Sequence, residues 1–288
     1  MKYSFIEAHR PMWRLQRMCR VLGVSRAGYS AWRRRPASRH GAEDRALTTR
    51  IQTIHQESRK TYGSPRIHRE LQAQGTPVSR KRVERLMREA GIQVRPKARF
   101  VTTTDSNHGL PVAPDLLQQD FTAMAPNHRW VTDITYVLTG EGWLYVAAIM
   151  DLYSRRVVGW AMRSQMDRAL VLAALDMAVK QRRPAPGLLH HSDRGSQYAS
   201  NDYRQALTDH GMRASMSRRA CCYDNAAMES FWHTLKGELI QERRFQTRSE
   251  AIQAIFEYIE VFYNRLRRHS SIGYVSPEEF ERQHTVVA

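Results

Sequence analysis

The stretch Trp130-Val131-Thr132-Asp133-Ile134-Thr135-Tyr136 alternates in polarity and is rich in β-branched and aromatic residues. That pattern predicts a β-strand over 129–138. Outward from it, Gly140-Glu141-Gly142 reads as a hairpin turn. The run over 143–151 is almost continuously apolar, as suits a strand at the centre of a sheet. A third strand is expected over 156–162. A helix over 167–181 follows, its inner stripe formed by Leu170, Leu172, Leu175 and Val179. A fourth strand is predicted over 187–193, a helix over 200–210, a short fifth strand over 213–217 and a helix over 224–241. Three strands, helix, strand, helix, strand, helix describes one mixed five-stranded sheet with flanking helices, an α/β fold. A last amphipathic helix over 249–265 carries Ile252, Ile255, Ile259 and Phe262 on one stripe, read as core packing.

Three acids stand out on this frame. Asp133 lies within the first strand. Asp193 ends Leu188-Leu189-His190-His191-Ser192-Asp193, where Arg194-Gly195 turns the chain. Glu229 lies in the helical run Asn225-Ala226-Ala227-Met228-Glu229-Ser230-Phe231-Trp232, with thirty-five residues between it and Asp193. Carboxylates from two strands and one helix can converge on one point. Hard divalent cations take several oxygen ligands, and a pair of them can clamp the attacking and leaving oxygens of a phosphodiester. Two other acids read as local: Asp151 as a turn or cap residue, Asp224 as the N-cap of the helix that carries Glu229. His190-His191 and Cys221-Cys222 lack the spacing of a zinc site, because adjacent side chains point in different directions. No zinc is expected.

The charge is unevenly placed. The chain of 288 residues carries a formal net charge of +17, and residues 1–100 hold 24 Lys and Arg against 7 Asp and Glu. Residues 101–288 hold 21 of each. A positive N-terminal part joined to a neutral one points to binding of a phosphate backbone by the first and other work by the second. The basic part shows two helix–turn–helix layouts. In the first, a helical pattern stops at Gly23 and Ser25 can cap a second helix with Tyr29 and Trp32; Arg26 and Arg33 are its candidate DNA contacts. In the second, Ser64 caps and Pro65 opens a helix through Ile67 and Leu71 that stops at Gly75. Ser79 can cap the next helix, which Gly91 ends. Val83, Leu86 and Met87 lie on its inner side, and Arg80, Lys81, Arg82, Arg85 and Arg88 are placed to reach a duplex. Residues 97–120 lose periodicity and read as a linker. No apolar run is long enough to span a bilayer, and no signal-peptide layout opens the chain. Three cysteines make no disulfide framework, which fits a reducing cytosol; a cytoplasmic place on the nucleoid is expected.

The motifs together resemble a known family. Trp130-Val131-Thr132-Asp133-Ile134-Thr135-Tyr136, Asp151-Leu152-Tyr153-Ser154-Arg155-Arg156-Val157-Val158-Gly159-Trp160 and His191-Ser192-Asp193-Arg194-Gly195-Ser196-Gln197-Tyr198 carry the likeness. Tyr223-Asp224-Asn225-Ala226, Glu229-Ser230-Phe231, Tyr263-Asn264-Arg265, Ser276-Pro277-Glu278-Glu279-Phe280, Leu22-Gly23-Val24-Ser25-Arg26 and Tyr62-Gly63-Ser64-Pro65-Arg66-Ile67 extend it over nearly the whole chain. The chain resembles the downstream-frame catalytic protein of bacterial insertion sequences of the IS-three type, within the retroviral-integrase superfamily. The resemblance implies an RNase-H-like core with Asp133, Asp193 and Glu229 as its metal-binding catalytic triad, and a DNA contact by Lys236. Lys236 follows Glu229 by two helical turns, so the two share a face. The expected division is 1–50 and 51–96 as helix–turn–helix regions, 97–124 as linker, 125–245 as catalytic core and 246–288 as a helical extension.

The implied activity is metal-dependent cleavage at the 3′ ends of an element, then attack of the freed 3′-hydroxyl on another phosphodiester. Two Mg²⁺ ions would serve, with Mn²⁺ as substitute and Asp133 as the bridging ligand. No covalent enzyme–DNA bond is required, so no tyrosine or serine nucleophile is expected. The partners implied are double-stranded DNA of the element ends and target, further copies of the chain, since two ends must be paired, and an upstream-frame protein joined by ribosomal frameshifting. No membrane partner is expected. The alternatives are a catalytically weak DNA-binding regulator or a partial transposase that needs an upstream-frame fusion partner, and a plain RNase-H-like nuclease, against which the basic modules argue.

Overall fold

In the computed structural model, residues 1–34, 39–94, 110–219, 222–241 and 243–284 are described. One five-stranded sheet has the order β3-β2-β1-β4-β5. Its strands are β1 (Arg129–Thr139), β2 (Gly142–Asp151), β3 (Val157–Arg163), β4 (Leu189–Ser192) and β5 (Arg213–Met216). β1 and β2 form the expected hairpin, with Asp133 opposite Ala148. β4 joins β1 in parallel, with Val131 opposite His191. β2 has a strand on each side and helices over both faces, which is why its apolar run is unbroken: Val146 through Met150 are all buried. Alternation divides β1 between two cores. Val131 and Val137 join one with Met228, Phe231 and Leu235. Trp130 joins the other with Leu170, Ala174 and Tyr203.

Of the helices, α1 (Lys2–His9), α2 (Leu15–Val21) and α3 (Arg26–Arg34) enclose Ile6, Met18, Cys19 and Tyr29. α4 (Arg39–Glu57), α5 (Ser64–Ala73) and α6 (Arg80–Glu89) enclose Ile51, Ile67, Leu71, Val83 and Leu86. α7 (Arg168–Arg182) starts on Asp167, whose side chain accepts from the Leu170 amide. It lies so close to β3 that a Cβ on Gly159 would sit 2.3 Å from the Ala174 carbonyl oxygen. α8 (Ser196–Ala199) and α9 (Asn201–Asp209) complete that face. On the opposite face lies α10 (Ala226–Leu235), which continues as a π-helical segment over Lys236–Ile240. α11 (Arg248–Glu257) passes likewise into a π-helical segment, Tyr258–Leu266. α12 (Pro277–His284) is latched to the sheet by Glu281, which pairs with Arg182 at 2.8 Å and accepts from Ser154 at 2.7 Å.

Several expectations need correction. α5 has Gly63, not Ser64, at its N-cap, and the Ser64 hydroxyl donates to Glu84 instead. Asp224 does not cap the helix carrying Glu229. It is fully buried and accepts from the amide and guanidinium of Arg218 and from the Gln119 amide. Asn225 holds the cap position, its amide group turned to the Thr132 carbonyl. The helix over 249–265 is not the last, and Ile252 on its stripe is exposed. Of the expected linker, residues 97–109 lie outside the described part; from 110 onward the chain rests on the core, with Leu117 buried and the Leu116 amide donating to Ser215. Cys221 also lies outside the described residues. Asp151 takes the turn role expected of it, accepting from the Tyr153 amide.

The α4–α6 unit is docked on the C-terminal part. The Tyr62 hydroxyl accepts from the Arg268 amide at 2.7 Å, and the Arg66 guanidinium donates to the Arg268 carbonyl at 3.0 Å. Arg268 pairs with Glu70, Arg59 pairs with Glu257 at 2.6 Å, and the Arg59 guanidinium lies 4.9 Å from the centre of the Phe262 ring.

Candidate active site

Register brings the first two acids together. Val131 stands opposite His191 across parallel β1 and β4. Two residues further along each strand lie Asp133 and Asp193, so continuing the register past the end of β4 places them side by side, on neighbouring strands about 5 Å apart. Both share the parity of Val131 and therefore face α10. The turn after β4 fixes Asp193 locally: one carboxylate oxygen accepts from the Gly195 amide at 2.9 Å.

α10 supplies the third acid and the cover. The Trp232 indole N–H donates to the Asp133 carboxylate at 3.1 Å. Glu229, one helical turn before Trp232, occupies the same side of α10. Burial, then the charge of Asp193, and more weakly that of Glu229, push the Asp133 carboxyl well above the usual carboxylate range. Burial raises that of Glu229 as well. Lys236 answers this concentration of negative charge. Its pKa is lowered by burial and raised in part by Asp133, and its ammonium lies 5.0 Å from the centre of the Tyr136 ring. Among the described residues, no group of three or more His, Cys, Asp or Glu side chains is drawn tightly enough together to hold a metal ion. Asp193 and, more weakly, Glu229 act on Asp133 as like charges. Such a donor set, all carboxylate oxygen and short of positive charge, fits a hard divalent cation.

Residues 123–222 match a family model described as an integrase core domain, residues 229–285 a second so described, and residues 42–100 an HTH-like domain. The chain is 49% identical over 272 residues to the insertion element IS600 uncharacterized 31 kDa protein of Shigella sonnei, covering 94% of this chain and all of that protein. It is 43% identical over 285 residues to the transposase InsF for insertion sequence IS3A of Escherichia coli (strain K12), covering 98% and 99%. The chain belongs to the IS3-type transposases of the retroviral-integrase superfamily. A simian T-cell lymphotropic virus intasome, solved in complex with PP2A regulatory subunit B56 gamma, has 13% identity and a TM-score of 0.48, covering 83% of this chain and 76% of its own.

The basic residues of this IS3-type transposase fall into two groups. Arg82 and Arg85 both pair with Asp44 of α4, at 2.6 and 2.7 Å, and Arg85 pairs also with Glu89. Those two arginines hold the Asp44 carboxyl below its ordinary value, Arg85 most strongly. Arg80 pairs with Glu84 at 2.9 Å along α6, and Arg33 lies 3.6 Å from Glu7. Lys81, Arg88 and Arg26 are exposed. None of these basic residues comes to the carboxylates. His190 and His191 are buried and face hydroxyls: His190 meets Tyr203, and His191 meets Ser215 at 2.8 Å and Ser217 at 3.2 Å. Trp232 and Tyr136 were not among the residues predicted for the site. The spacing of Trp232, three residues after Glu229, was the available signal. Among the described residues no helix is long and apolar enough to cross a membrane.

Proposed function

We propose that this transposase cleaves the 3′ ends of its insertion sequence by hydrolysis and joins the freed 3′-hydroxyls to target DNA, with Asp133, Asp193 and Glu229 as its catalytic and metal-holding residues. The observation that supports this reading is the Asp133 carboxylate under α10, held by Trp232 and raised by burial and by the charges of Asp193 and, more weakly, Glu229. Asp133, Asp193 and Glu229 would hold Mg²⁺, with two ions and Mn²⁺ as substitute in the proposed chemistry. When bound, such ions activate the nucleophile and offset the charge that builds on the phosphoryl group.

The chain's own residues do the rest. Trp232 orients the Asp133 carboxylate through its indole N–H, and Gly195 orients Asp193 through its amide. Lys236, on the same side, offers a cation to a phosphate of the terminal DNA. Asp133 and Glu229 sit on the sheet and on α10, and Asp193 is fixed in the turn after β4 by the Gly195 amide, so the carboxylates are held in place by structured elements. The basic α1–α6 region, residues 1–96 in the proposed division, grips duplex DNA through phosphates. Pairing of two ends calls for at least two copies of the chain, and an upstream-frame protein would add end recognition.

The deciding experiment is strand joining on a plasmid carrying the element's two ends, with Mg²⁺ or Mn²⁺. The chain is tested alone and fused to its upstream frame, each beside Glu229→Gln. Nicked and joined products that vanish with Glu229→Gln are expected. Cleavage without joining would leave a nuclease. DNA binding with neither step would leave a regulator.

A further inference from the structure

A cavity of about 510 Å³ opens on the side of α10 turned away from the carboxylates, where the α4–α6 unit meets the core. Its walls come from three directions: Arg66 from α5, Arg155 from the turn between β2 and β3, and Arg267 with Glu238 from the two π-helical ends. The charges do not balance. Glu238 is spent on Arg267, which it holds through two hydrogen bonds of 2.7 and 2.8 Å, and on the Tyr258 hydroxyl. Arg66 meets neutral groups, the Arg268 carbonyl at 3.0 Å and the Tyr62 ring. Among the described residues, no ion pair joins Arg155 to a carboxylate; its basicity is lowered by burial, with Tyr263 alone acting in the other direction. Arg66 is lowered too, by burial and then by the charge of Arg267, with Glu238 raising it in part. Two partly buried guanidinium groups therefore face one cavity whose single carboxylate among the described residues, Glu238, is already hydrogen-bonded to Arg267 and Tyr258. A buried charge left unpaired is costly, and an oxyanion bound by planar guanidinium forks removes that cost.

We propose that this cavity is a binding site for a phosphate-bearing ligand, with Arg155 and Arg66 as its anion contacts. The hydroxyls of Ser230, Thr234 and Ser270 line the same space and can donate to phosphate oxygens. Phe121 and Phe231 offer an apolar wall to whatever the phosphate carries, and the volume suits a mononucleotide. The ligand's phosphate belongs either to a free nucleotide or to a DNA backbone. The inference does not depend on the proposed chemistry, since its test reads binding.

The test uses the full chain and three probes: inorganic pyrophosphate and dAMP by calorimetry, and a short duplex oligonucleotide by fluorescence anisotropy over a salt series. Wild type is compared with Arg155→Met, Arg66→Met, Arg155→Lys and, as a control for the removal of one positive charge, Arg213→Met, exposed on edge strand β5. At least one probe should bind about ten-fold more weakly to Arg155→Met and to Arg66→Met, with Arg155→Lys largely recovered and Arg213→Met near wild type. A loss seen with pyrophosphate or dAMP identifies a free nucleotide as source. A loss confined to the duplex, beyond that of Arg213→Met, identifies the DNA backbone. Should the methionine variants fail to fold, hydrogen exchange on wild type decides: pyrophosphate, dAMP or duplex must slow exchange in 226–238. No binding of any probe, binding indifferent to both methionine substitutions, or exchange there unchanged by every probe would overturn the site.

Discussion

Asp133 takes its environment from a residue far away in the chain. Its strand was legible from alternation, and its acid stood out there. Neither alternation nor spacing showed that Trp232 would donate to it. That hydrogen bond needs α10 to cross the sheet at one height and rotation, which the packing of Met228, Phe231 and Leu235 decides. Trp232→Phe keeps the ring and removes the donor. Groups that orient a metal-holding carboxylate commonly matter by about 10- to 100-fold in activity. Strand joining should therefore slow by at least roughly ten-fold, while duplex affinity by anisotropy stays at the wild-type level. An unchanged joining rate would remove Trp232 from the site. Asp224 shows the opposite case: its place just before a helix suggested a cap, and only the fold brought Arg218 and Gln119 to it.

At the scale of elements, α6 looked like a helix with an apolar inner side and basic residues placed to reach a duplex. Its apolar stripe was legible and is buried as read, but the role of each basic residue depended on the neighbour. α4 presents Asp44 to Arg82 and Arg85. α4 itself was missed, because few apolar residues mark its inner stripe among the charges. Arg82→Ala should lower the melting temperature. Lys81→Ala with Arg88→Ala should leave it unchanged, weaken DNA binding and reduce the salt slope by about 1 for each phosphate no longer neutralised. Equal melting temperatures for the two would refute this division. The packing of α7 on β3 gives a second prediction. Gly159 has no room for a methyl group, with the Ala174 carbonyl and the Ala178 Cβ at 2.3 and 2.6 Å from it. Gly159→Ala should cost about 1–3 kcal/mol in urea unfolding. A change under about 0.5 kcal/mol, ordinary for a harmless surface substitution, would mean that α7 shifts freely.

Across the whole molecule, buried histidines tie stability to pH. Burial, helped by His191, pushes the His190 imidazole down to about 3, and burial with the nearby Arg267 holds His269 well below its ordinary value. Both are neutral in the fold and titrate normally once unfolded. Their contribution is therefore complete above roughly pH 6.5 and is lost as the pH falls below it, by roughly 1.4 kcal/mol per pH unit for each histidine. The raised Asp133 carboxyl works the other way, and the lowered His191 adds to the histidines, so thermal melting should still fall from pH 7 to pH 5; a flat profile would contradict it. The sequence alone determined the strand order, the helices between the strands and the division into basic and neutral parts, and singled out the three acids, because periodicity and charge are properties of neighbouring residues. Tertiary structure alone decided the rest: the β1–β4 register that sets Asp133 beside Asp193, the rotation of α10 that brings Trp232 and Lys236 to them, the arginines that serve α4 and the cavity behind α10. Those depend on residues far apart in the chain meeting as whole elements pack, and no local pattern encodes them.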